Sequence, residues 1–80
     1  MTIQLALYST SHCHLCEQAE DLLLLIAKKH DIELSVIDIS EHLELLTRYE
    51  VKIPVLQRLD NLSEICWPFD TADIIRLLNS

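Results

Sequence analysis

The sequence predicts an α/β fold in which strands and helices follow the order β-α-β-α-β-β-α. Three patterns support this order. Apolar residues alternate with other residues at the start of the chain, as in a strand, and from position 13 they recur at helical intervals. Two short apolar runs near the C-terminus flank a polar dipeptide, which is typical of a hairpin. The 80 residues contain no linker or repeat, so residues 1–80 are predicted to form one domain.

The first half of the chain predicts two parallel strands joined by a helix. A strand is predicted over Ile3–Tyr8, where apolar residues alternate with their neighbours. A helix is predicted from Cys13 to near Lys29 or His30, cationic residues that suit a helix C-terminus. β-Branched residues predict a second strand over Glu33–Asp38. The strand-helix-strand order favours a parallel pair with a right-handed crossover.

The first helix should turn one apolar stripe towards the sheet. The stripe is formed by Leu15, Ala19, Leu22, Leu23 and Ile26. Leu24 lies roughly 150° from this stripe at 100° per residue, and we expect it to be exposed. Leu25 lies at about 110°, and we expect it at the boundary between buried and exposed positions. The leucine run is therefore not predicted to be uniformly buried.

Two short helices are predicted in the second half of the chain. Ser40 can cap the first of them, which should stop near Glu50. Asp70 can cap the last helix, with Asp73 in its first turn. The residues predicted to face inward are Leu43, Leu46 and Tyr49 in the first and Ile74, Leu77 and Leu78 in the second.

An antiparallel hairpin is predicted between these two helices. Its strands are Val55–Leu59 and Leu62–Cys66, and they flank Asp60-Asn61. Asp and Asn are the residues other than glycine that best tolerate the left-handed backbone of a tight turn. Cys66 ends a strand that we expect to be buried, where a lone cysteine behaves as a small apolar residue.

Composition and charge exclude several classes of protein. Thirteen acidic residues against six basic ones give a net charge of −7, which repels the phosphates of nucleic acids. Glycine is absent, so glycine-rich phosphate-binding loops are excluded. The longest apolar run, Leu22–Ala27, is too short to cross a bilayer, and no basic region of a signal peptide precedes the first apolar residues. We therefore expect a cytoplasmic monomer that binds neither nucleic acid nor membranes.

Two of the three cysteines form a Cys-x-x-Cys motif where the first strand gives way to the first helix. Cys13 is predicted at the helix N-terminus, where free N–H groups and the helix dipole favour a thiolate. Cys16 follows about one turn later on the same face, so the two sulfurs can bond. We expect Cys13 to attack a substrate disulfide and Cys16 to resolve the mixed disulfide. His14, when protonated, would stabilise the thiolate further.

The Cys-x-x-Cys pair has other interpretations. It is half of a tetrahedral zinc site or part of an iron–sulfur site, which could recruit further ligands from His12, His14, His42 and Cys66. It could also be inert packing, or belong to an interaction domain that docks a partner through its acidic surface or through Trp67 and Phe69. A second well-spaced pair of ligands is missing from the sequence, so redox chemistry is favoured and no metal cofactor is predicted.

These features together resemble a glutaredoxin within the thioredoxin fold. The resemblance rests on Tyr8-Ser9 at the end of the first strand, Cys13-x-x-Cys16 at the start of a helix and Ile53-Pro54 before the third strand, and it covers nearly the whole chain. It implies a four-stranded mixed sheet flanked by helices on both faces. It also implies that Pro54 is cis and faces the Cys-x-x-Cys loop, and that the backbone at Ile53 is offered to a substrate peptide.

The chain departs from glutathione-using glutaredoxins in three segments. His14-Leu15 stands between the cysteines where those proteins commonly carry Pro-Tyr, Thr10 stands in place of a lysine, and Trp67-Pro68-Phe69-Asp70 replaces a Gly-Gly turn. His14 and Trp67 are therefore further candidates for contact with substrate, and Lys52 is a candidate partner for a carboxylate. The resemblance implies that the substrate is a protein disulfide or a small thiol compound, and that glutathione or a reductase supplies the electrons.

Overall fold

The computed structural model describes residues 2–80. Its strands and helices follow the predicted order, with one 3₁₀ turn added before the second helix. The strands are β1 (Ile3–Ser9), β2 (Ile32–Asp38), β3 (Val55–Arg58) and β4 (Glu64–Cys66). The helices are α1 (His14–Ala27), α2 (Leu43–Tyr49) and α3 (Thr71–Leu78), and the 3₁₀ turn is Ile39–Glu41. None of the helices within residues 2–80 is long and apolar enough to cross a membrane.

The four strands form one mixed sheet in the order β2-β1-β3-β4. β1 and β2 are parallel, as predicted, whereas β3 is antiparallel to β1, and β4 is antiparallel to β3. In this register Tyr8 pairs with Val55, and Val55 pairs with Cys66. β1, β2 and β4 therefore end, and β3 begins, on the same side of the sheet. We call this side, which is formed by strand ends and not by an edge strand, the upper edge. The segments after β1 and β4 and the segment before β3 meet there.

Apolar side chains cover both faces of the sheet because successive residues of β1 point to opposite sides. Leu5 and Leu7 belong to a cluster with residues of α1 and α3, whereas Ala6 and Tyr8 cluster with Tyr49 of α2. The helices thus lie on both faces, which confirms the expected α/β arrangement. The side chains that the first cluster buries completely include Leu23, Leu56 and Ile74.

The buried face of α1 differs from the predicted stripe at its ends. It is formed by Cys16, Ala19, Leu23 and Ile26. Leu24 is 60% exposed, as predicted. Leu25, expected at the boundary, is 54% exposed, because it lies about 140° from the centre of this buried face at 100° per residue. Leu15, expected in the stripe, is 44% exposed, because the first turn of α1 lies at the upper edge, where the sheet ends.

α1 is shorter than predicted and ends at Ala27. The backbone N–H groups of Lys29 and His30, the residues predicted near its end, donate to the carbonyl oxygen of Ile26 at 3.0 and 2.9 Å. These bonds satisfy a carbonyl that the helix itself leaves free. Lys29 and His30 therefore follow the helix and close its last turn through their backbone.

The prediction that Ser40 caps α2 is wrong. The carboxylate of Asp38 accepts hydrogen bonds from the backbone N–H of Ser40 at 2.9 Å and from its hydroxyl at 2.7 Å, and Asp38 caps the 3₁₀ turn. α2 begins only at Leu43, and His42 is its N-cap residue. Ser40 thus lies inside a separate turn, because the aspartate before it is the stronger competitor for the free N–H groups.

The later start of α2 changes which residues of this segment are buried. Leu43, expected to face inward, is 79% exposed. Ile39 of the 3₁₀ turn is 1% exposed and clusters with Tyr49, so Ile39 takes the core position expected for Leu43. Tyr49 is buried and Leu46 is half-buried, in agreement with their predicted orientation.

β3 and β4 form the predicted antiparallel hairpin, but both strands are shorter than expected. Leu62 has the left-handed backbone, with φ 62°, whereas Asp60 and Asn61 were expected to adopt it. Asn61 Oδ1 accepts a hydrogen bond from the backbone N–H of Ser63 at 3.0 Å, as in an Asx turn. The polar dipeptide therefore shapes the turn through its side chains.

α3 begins with the predicted cap. Asp70 Oδ1 accepts from the backbone N–H of Asp73 at 2.9 Å, and Asp73 Oδ2 accepts from the backbone N–H of Asp70 at 3.0 Å. This reciprocal arrangement is a capping box. Arg76 forms an ion pair with Asp73 one turn later. The residues buried by α3 are those predicted, Ile74, Leu77 and Leu78.

The C-terminal end of α3 is held by an arginine from the sheet. Arg58, the last residue of β3, forms an ion pair with Asp60 at 2.8 Å. Its Nη1 also donates to three backbone carbonyl oxygens, those of Leu77 (3.2 Å), Leu78 (2.8 Å) and Ser80 (3.1 Å). One guanidinium therefore satisfies acceptors that a helix leaves free at its end.

Candidate functional site

The two cysteines of the motif form a disulfide at the start of α1. Cys13 is the N-cap residue, with extended backbone angles (φ −100°, ψ 106°). Its Sγ accepts a hydrogen bond from the backbone N–H of Cys16 at 3.2 Å. The Cα atoms of the two cysteines are 5.2 Å apart, a separation that a disulfide spans without movement of the backbone. The predicted helix start brings both sulfurs together.

The two sulfurs differ in their access to solvent. Cys16 is 3% exposed and lies on the inner face of α1, whereas Cys13 is only half-buried. Once the disulfide is reduced, the free N–H groups of the first turn and the positive end of the helix dipole would favour a thiolate at Cys13. Cys13 is therefore the sulfur that an incoming molecule reaches first.

Two histidines flank Cys13. His12 is exposed and has a left-handed backbone, with φ 60°, a conformation that histidine tolerates better than most residues. His14 Nδ1 lies 3.6 Å from Glu17 Oε2, and the His14 side chain is 86% exposed. An ion pair in that position is screened by water and contributes little. His14, predicted to contact substrate, thus lies at the surface beside Cys13.

The segment before β3 lies at the upper edge, where β1 also ends, and its proline has the conformation that the resemblance implies. The Ile53–Pro54 peptide bond is cis. Pro54 is buried, and its carbonyl oxygen accepts a hydrogen bond from the backbone N–H of Trp67 at 3.0 Å. Ile53 is half-buried, and its N–H donates to the carbonyl oxygen of Tyr49 at 3.1 Å. Three of the predicted substrate-contacting residues, Ile53, Pro54 and Trp67, are therefore joined at the upper edge.

The segment of residues 67–70, which replaces a Gly-Gly turn, contains a second cis bond and an aromatic pair. The Trp67–Pro68 peptide bond is also cis, which was not predicted. The rings of Trp67 and Phe69 meet edge to face, with centroids 5.1 Å apart. Phe69 is buried and Trp67 is half-buried. An aromatic pair thus occupies the connection between β4 and α3.

Asp38 is a polar residue at the upper edge that the sequence analysis did not select. It ends β2, and hydrogen bonds from the side chain and backbone of Ser40 lower the pKa of its carboxyl group. A weaker contribution comes from the hydroxyl of Thr10, the residue that stands where glutathione-using glutaredoxins carry lysine. Its position at the end of a predicted parallel strand could have indicated this location. A residue that ends one parallel strand lies at the same edge as the loop that follows the neighbouring strand.

Two stacked tyrosines form hydrogen bonds on the face of the sheet that α2 covers. Tyr8 and Tyr49 stack with ring centroids 4.6 Å apart. The Tyr8 hydroxyl donates to Gln57 Oε1 at 2.7 Å, and the Tyr49 hydroxyl donates to Glu64 Oε1 at 3.3 Å. Burial, with the neighbouring Tyr49 and Glu64, raises the pKa of Tyr8. This tyrosine therefore remains a neutral hydrogen-bond donor, which fixes the end of β1 just before the cysteine loop.

Cys66 differs from its prediction. It ends β4 at the upper edge, but it is an exposed free thiol and not a buried residue. β4 lies at one edge of the sheet, and Ile65 is the residue of this strand that packs against a core cluster, whereas Cys66 is left uncovered. Within residues 2–80, no three His, Cys, Asp or Glu side chains are grouped so that they could hold a metal ion.

Known proteins match this chain over almost its whole length. A family model described as a glutaredoxin-like domain (DUF836) matches residues 4–79. The solved structure of XcR50 from X. campestris is 31% identical, with a TM-score of 0.80, and the match covers 94% of this chain and 95% of that one. Protein Ne2328 from Nitrosomonas europaea is 34% identical, with a TM-score of 0.80 and coverage of 92% and 87%. No curated protein matches the chain significantly.

A more distant likeness identifies the fold. Thioredoxin 1 from Thermosipho africanus is 21% identical, with a TM-score of 0.72 and coverage of 95% of this chain and 90% of that one. The mixed four-stranded sheet between helices is thus of the thioredoxin type. Because the family model spans nearly all residues and the cysteine pair lies at the helix start that this fold provides, the chain belongs to the glutaredoxin-like domain family (DUF836).

Proposed function

We propose that this protein is a thiol-disulfide oxidoreductase that reduces disulfides through Cys13 and Cys16. The observation that carries the proposal is their disulfide, in which one sulfur belongs to the N-cap residue of α1 and the other to a buried residue. Such a pair holds two electrons as a dithiol and gives them up when its disulfide forms. Membership in the glutaredoxin-like family supports the same chemistry.

The first step is attack by the more accessible sulfur. The Cys13 thiolate attacks one sulfur of the substrate disulfide, the substrate S–S bond breaks, and the other substrate sulfur leaves as a thiolate that takes up a proton. A mixed disulfide between Cys13 and the substrate remains. The N–H group of Cys16, which bonds Cys13 Sγ at 3.2 Å in the oxidised protein, is positioned to stabilise the attacking thiolate.

The second step is resolution by Cys16. Its sulfur loses a proton and attacks Cys13 Sγ, the bond to the substrate breaks, and the substrate leaves as a second thiol. Two electrons have then passed from the cysteine pair to the substrate. Since Cys16 is 3% exposed, other thiols are kept away from it, and the attack is intramolecular.

An external thiol donor must restore the dithiol. Either two glutathione molecules or a dithiol of a reductase system supplies the two electrons by the same exchange in reverse. The proposal places the protein in the cytoplasm, because dithiols of this kind are kept reduced there.

Substrate contacts are proposed for the exposed surface around Cys13. Leu15, which lies between the two cysteines, is 44% exposed, and Trp67 is half-buried at the same edge. Ile53 and Pro54 would present backbone to an extended substrate peptide, and His14 would border the leaving sulfur. An open, partly apolar surface favours a disulfide in a polypeptide, which can cover more of it than a small thiol compound can.

The test compares single cysteine variants in the reduction of insulin with dithiothreitol as donor. Cys13→Ser should lose the activity because the nucleophile is missing. Cys16→Ser, reduced and then separated from dithiothreitol before insulin is added, should stop after the first step and accumulate a mixed disulfide between Cys13 and an insulin chain, which mass spectrometry identifies.

Cys66→Ser is the matched control, because it removes the remaining thiol by the same chemical change, and it should keep the wild-type rate. The proposal is wrong if Cys13→Ser and wild type reduce insulin equally fast. It is also wrong if the trapped insulin chain is attached to Cys66.

A further inference from the structure

A second candidate site lies between α1 and α3, away from the cysteines. Leu25, Ile26 and Ile75 form apolar walls of a cleft of about 360 Å³, and Lys28 and Lys29 stand at its rim. We propose that this α1–α3 cleft binds an acidic peptide segment of a partner protein, one that carries an apolar side chain beside carboxylates. The proposal does not depend on the redox function.

The apolar walls are accessible to another molecule. Leu25 is 54% exposed and Ile75 is 37% exposed. The helices that carry them bury other residues against the sheet, so neither side chain can turn inward without displacing a filled core. An apolar side chain inserted between the two helices would remove both from water, which is favourable.

The rim has a charge opposite to that of the molecule as a whole. The chain carries a net charge of −7, with only six Lys and Arg residues. Two arginines pair with neighbouring aspartates, Arg58 with Asp60 and Arg76 with Asp73. Among residues 2–80, Lys28 and Lys29 form no such ion pair, and the residues that line the cleft include no carboxylate. A carboxylate partner is therefore attracted here and repelled by the surrounding surface.

Charge also disfavours two other occupants of the cleft, a second copy of this chain and a membrane surface. A symmetric contact centred on the cleft would bring Lys28 and Lys29 near the same lysines of the other copy, and this is repulsive. An anionic lipid surface would be repelled by the net charge of −7. A segment of another protein avoids both penalties, because a short acidic stretch contacts only the basic rim.

The cleft and the cysteine pair are far enough apart to be used together. Cys13 precedes the first turn of α1, whereas Lys28 follows the last residue. The fifteen steps between them place the two about 22 Å apart at 1.5 Å per residue. A partner held at the cleft would leave Cys13 open to a substrate.

The test measures binding of two short fluorescent peptides to the full-length protein by anisotropy. In one peptide, leucines are flanked by glutamates; in the other, lysines replace the glutamates. The acidic peptide should bind saturably, and NMR shift changes in labelled protein should centre on Leu25, Lys29 and Ile75. Added salt should weaken this binding, because the rim is exposed and screened.

Two pairs of variants locate the site. Lys28→Ala/Lys29→Ala should weaken binding roughly fivefold, whereas Arg48→Glu lowers the net charge by the same amount elsewhere and should have a much smaller effect. Leu25→Glu should weaken binding, whereas Leu24→Glu introduces the same charge at an exposed leucine outside the cleft. Circular dichroism checks that every variant is folded.

Several results would overturn the inference. These are equal binding of the lysine peptide, equal weakening by Lys28→Ala/Lys29→Ala and by Arg48→Glu, and tighter binding to phosphatidylserine vesicles than to the acidic peptide. The Cys13→Ser variant should bind the acidic peptide as wild type does. Failure of the redox proposal and failure of this one are therefore separate outcomes.

Discussion

At the scale of single residues, Cys13 and Cys16 have the same side chain but differ in exposure because they lie one helical turn apart. Cys13 is outside the helix proper, where its sulfur can accept a backbone N–H bond, and Cys16 is inside it with its side chain buried. The order of events in the proposed reaction follows from this difference in access. Sequence spacing predicts both positions, because a helix start and a period of 3.6 residues determine them.

Leu23 and Leu24 test the rotation of the helix that carries the cysteines. Leu23 is completely buried, whereas Leu24 is 60% exposed. Leu23→Ala should lower the free energy of unfolding by about 2 to 5 kcal/mol, because it removes packed methyl groups and leaves a cavity. Leu24→Glu should change it by no more than about 0.5 kcal/mol, the usual range for a surface substitution. Urea unfolding of both variants measures the difference.

Leu24→Ala controls for the loss of a leucine side chain at an exposed position. A larger loss of stability in Leu24→Glu than in Leu23→Ala would mean that the helix is rotated. In that case Cys16 would not lie on its inner face.

Other single residues show where sequence patterns lose their value. Leu15 fits the apolar stripe by its period, yet it is 44% exposed because the sheet ends beside it. Cys66 fits a buried strand by its neighbours, yet β4 is an edge strand. Both errors have one cause. Period and composition describe a side chain's direction along its own element, whereas exposure depends on where the neighbouring elements end.

At the scale of elements, the capping box makes the start of α3 a sensitive position. α3 has only two turns, and Asp70 satisfies the free N–H group of Asp73. Asp70→Ala should lower the free energy of unfolding by about 1 kcal/mol, because that N–H loses its acceptor. Asp70→Asn keeps an acceptor oxygen at the same position and should be close to wild type. Chemical denaturation compares the two, and equal losses would show that the cap is not what stabilises the helix.

The same box predicts how stability responds to acid. The backbone N–H of Asp70 and then Arg76 lower the pKa of Asp73 below its ordinary value of 3.8. A carboxyl group whose pKa is lower in the folded state stabilises the fold above its unfolded pKa, and this contribution is lost as the pH falls through the folded pKa. The thermal midpoint of unfolding should therefore decrease when the pH is lowered below about 4. The thermal midpoint of Asp73→Asn should decrease less over the same pH range. An equal decrease in wild type and variant would contradict the prediction.

Elements with a clear period or a single possible cap were predicted better than the others. β1 and α3 follow from complete periods and, for α3, from a recognisable cap. The 3₁₀ turn and the late start of α2 were missed, because Asp38, Ser40 and His42 all stand near possible helix starts and their competition is decided by the surrounding structure. The same holds for the hairpin, where the left-handed residue is Leu62 and the polar side chains act from beside it.

At the scale of the whole molecule, charge and the aromatic segment bear on the electron donor. Glutathione is an anion and approaches a protein with a net charge of −7. Thr10 stands in place of a lysine, and the Trp67–Phe69 aromatic pair occupies the segment that replaces a Gly-Gly turn. We therefore predict that the rate of reduction by glutathione rises linearly across the millimolar range, without saturation, and increases with added salt.

Tryptophan fluorescence or alkylation of newly formed thiols can follow this reduction. A thioredoxin reductase system with its own thioredoxin serves as the comparison donor. A rate that saturates with glutathione, and that salt decreases, would instead show a built binding site for the tripeptide.

The site as a whole was only partly predictable. The cysteine pair and the Ile53-Pro54 segment were found because each is a local motif. The contact of Trp67 with Pro54, the position of Asp38 near Thr10 and the exposed Cys66 arise from strand register, which brings residues far apart in the chain to one edge. The cleft between α1 and α3 is likewise a product of packing, and only the exposed leucine beside two lysines hints at it in the sequence.

Arg58 determines which parts of the molecule open together. Its guanidinium is shared between the hairpin turn, through Asp60, and the end of α3, through three carbonyl oxygens. Opening of the last turn of α3 away from the hairpin must break the hydrogen bonds of this shared side chain, so we expect the two segments to open as one cooperative unit. Without that side chain, the helix would fray from its end and the hairpin from its turn, each with its own smaller opening free energy.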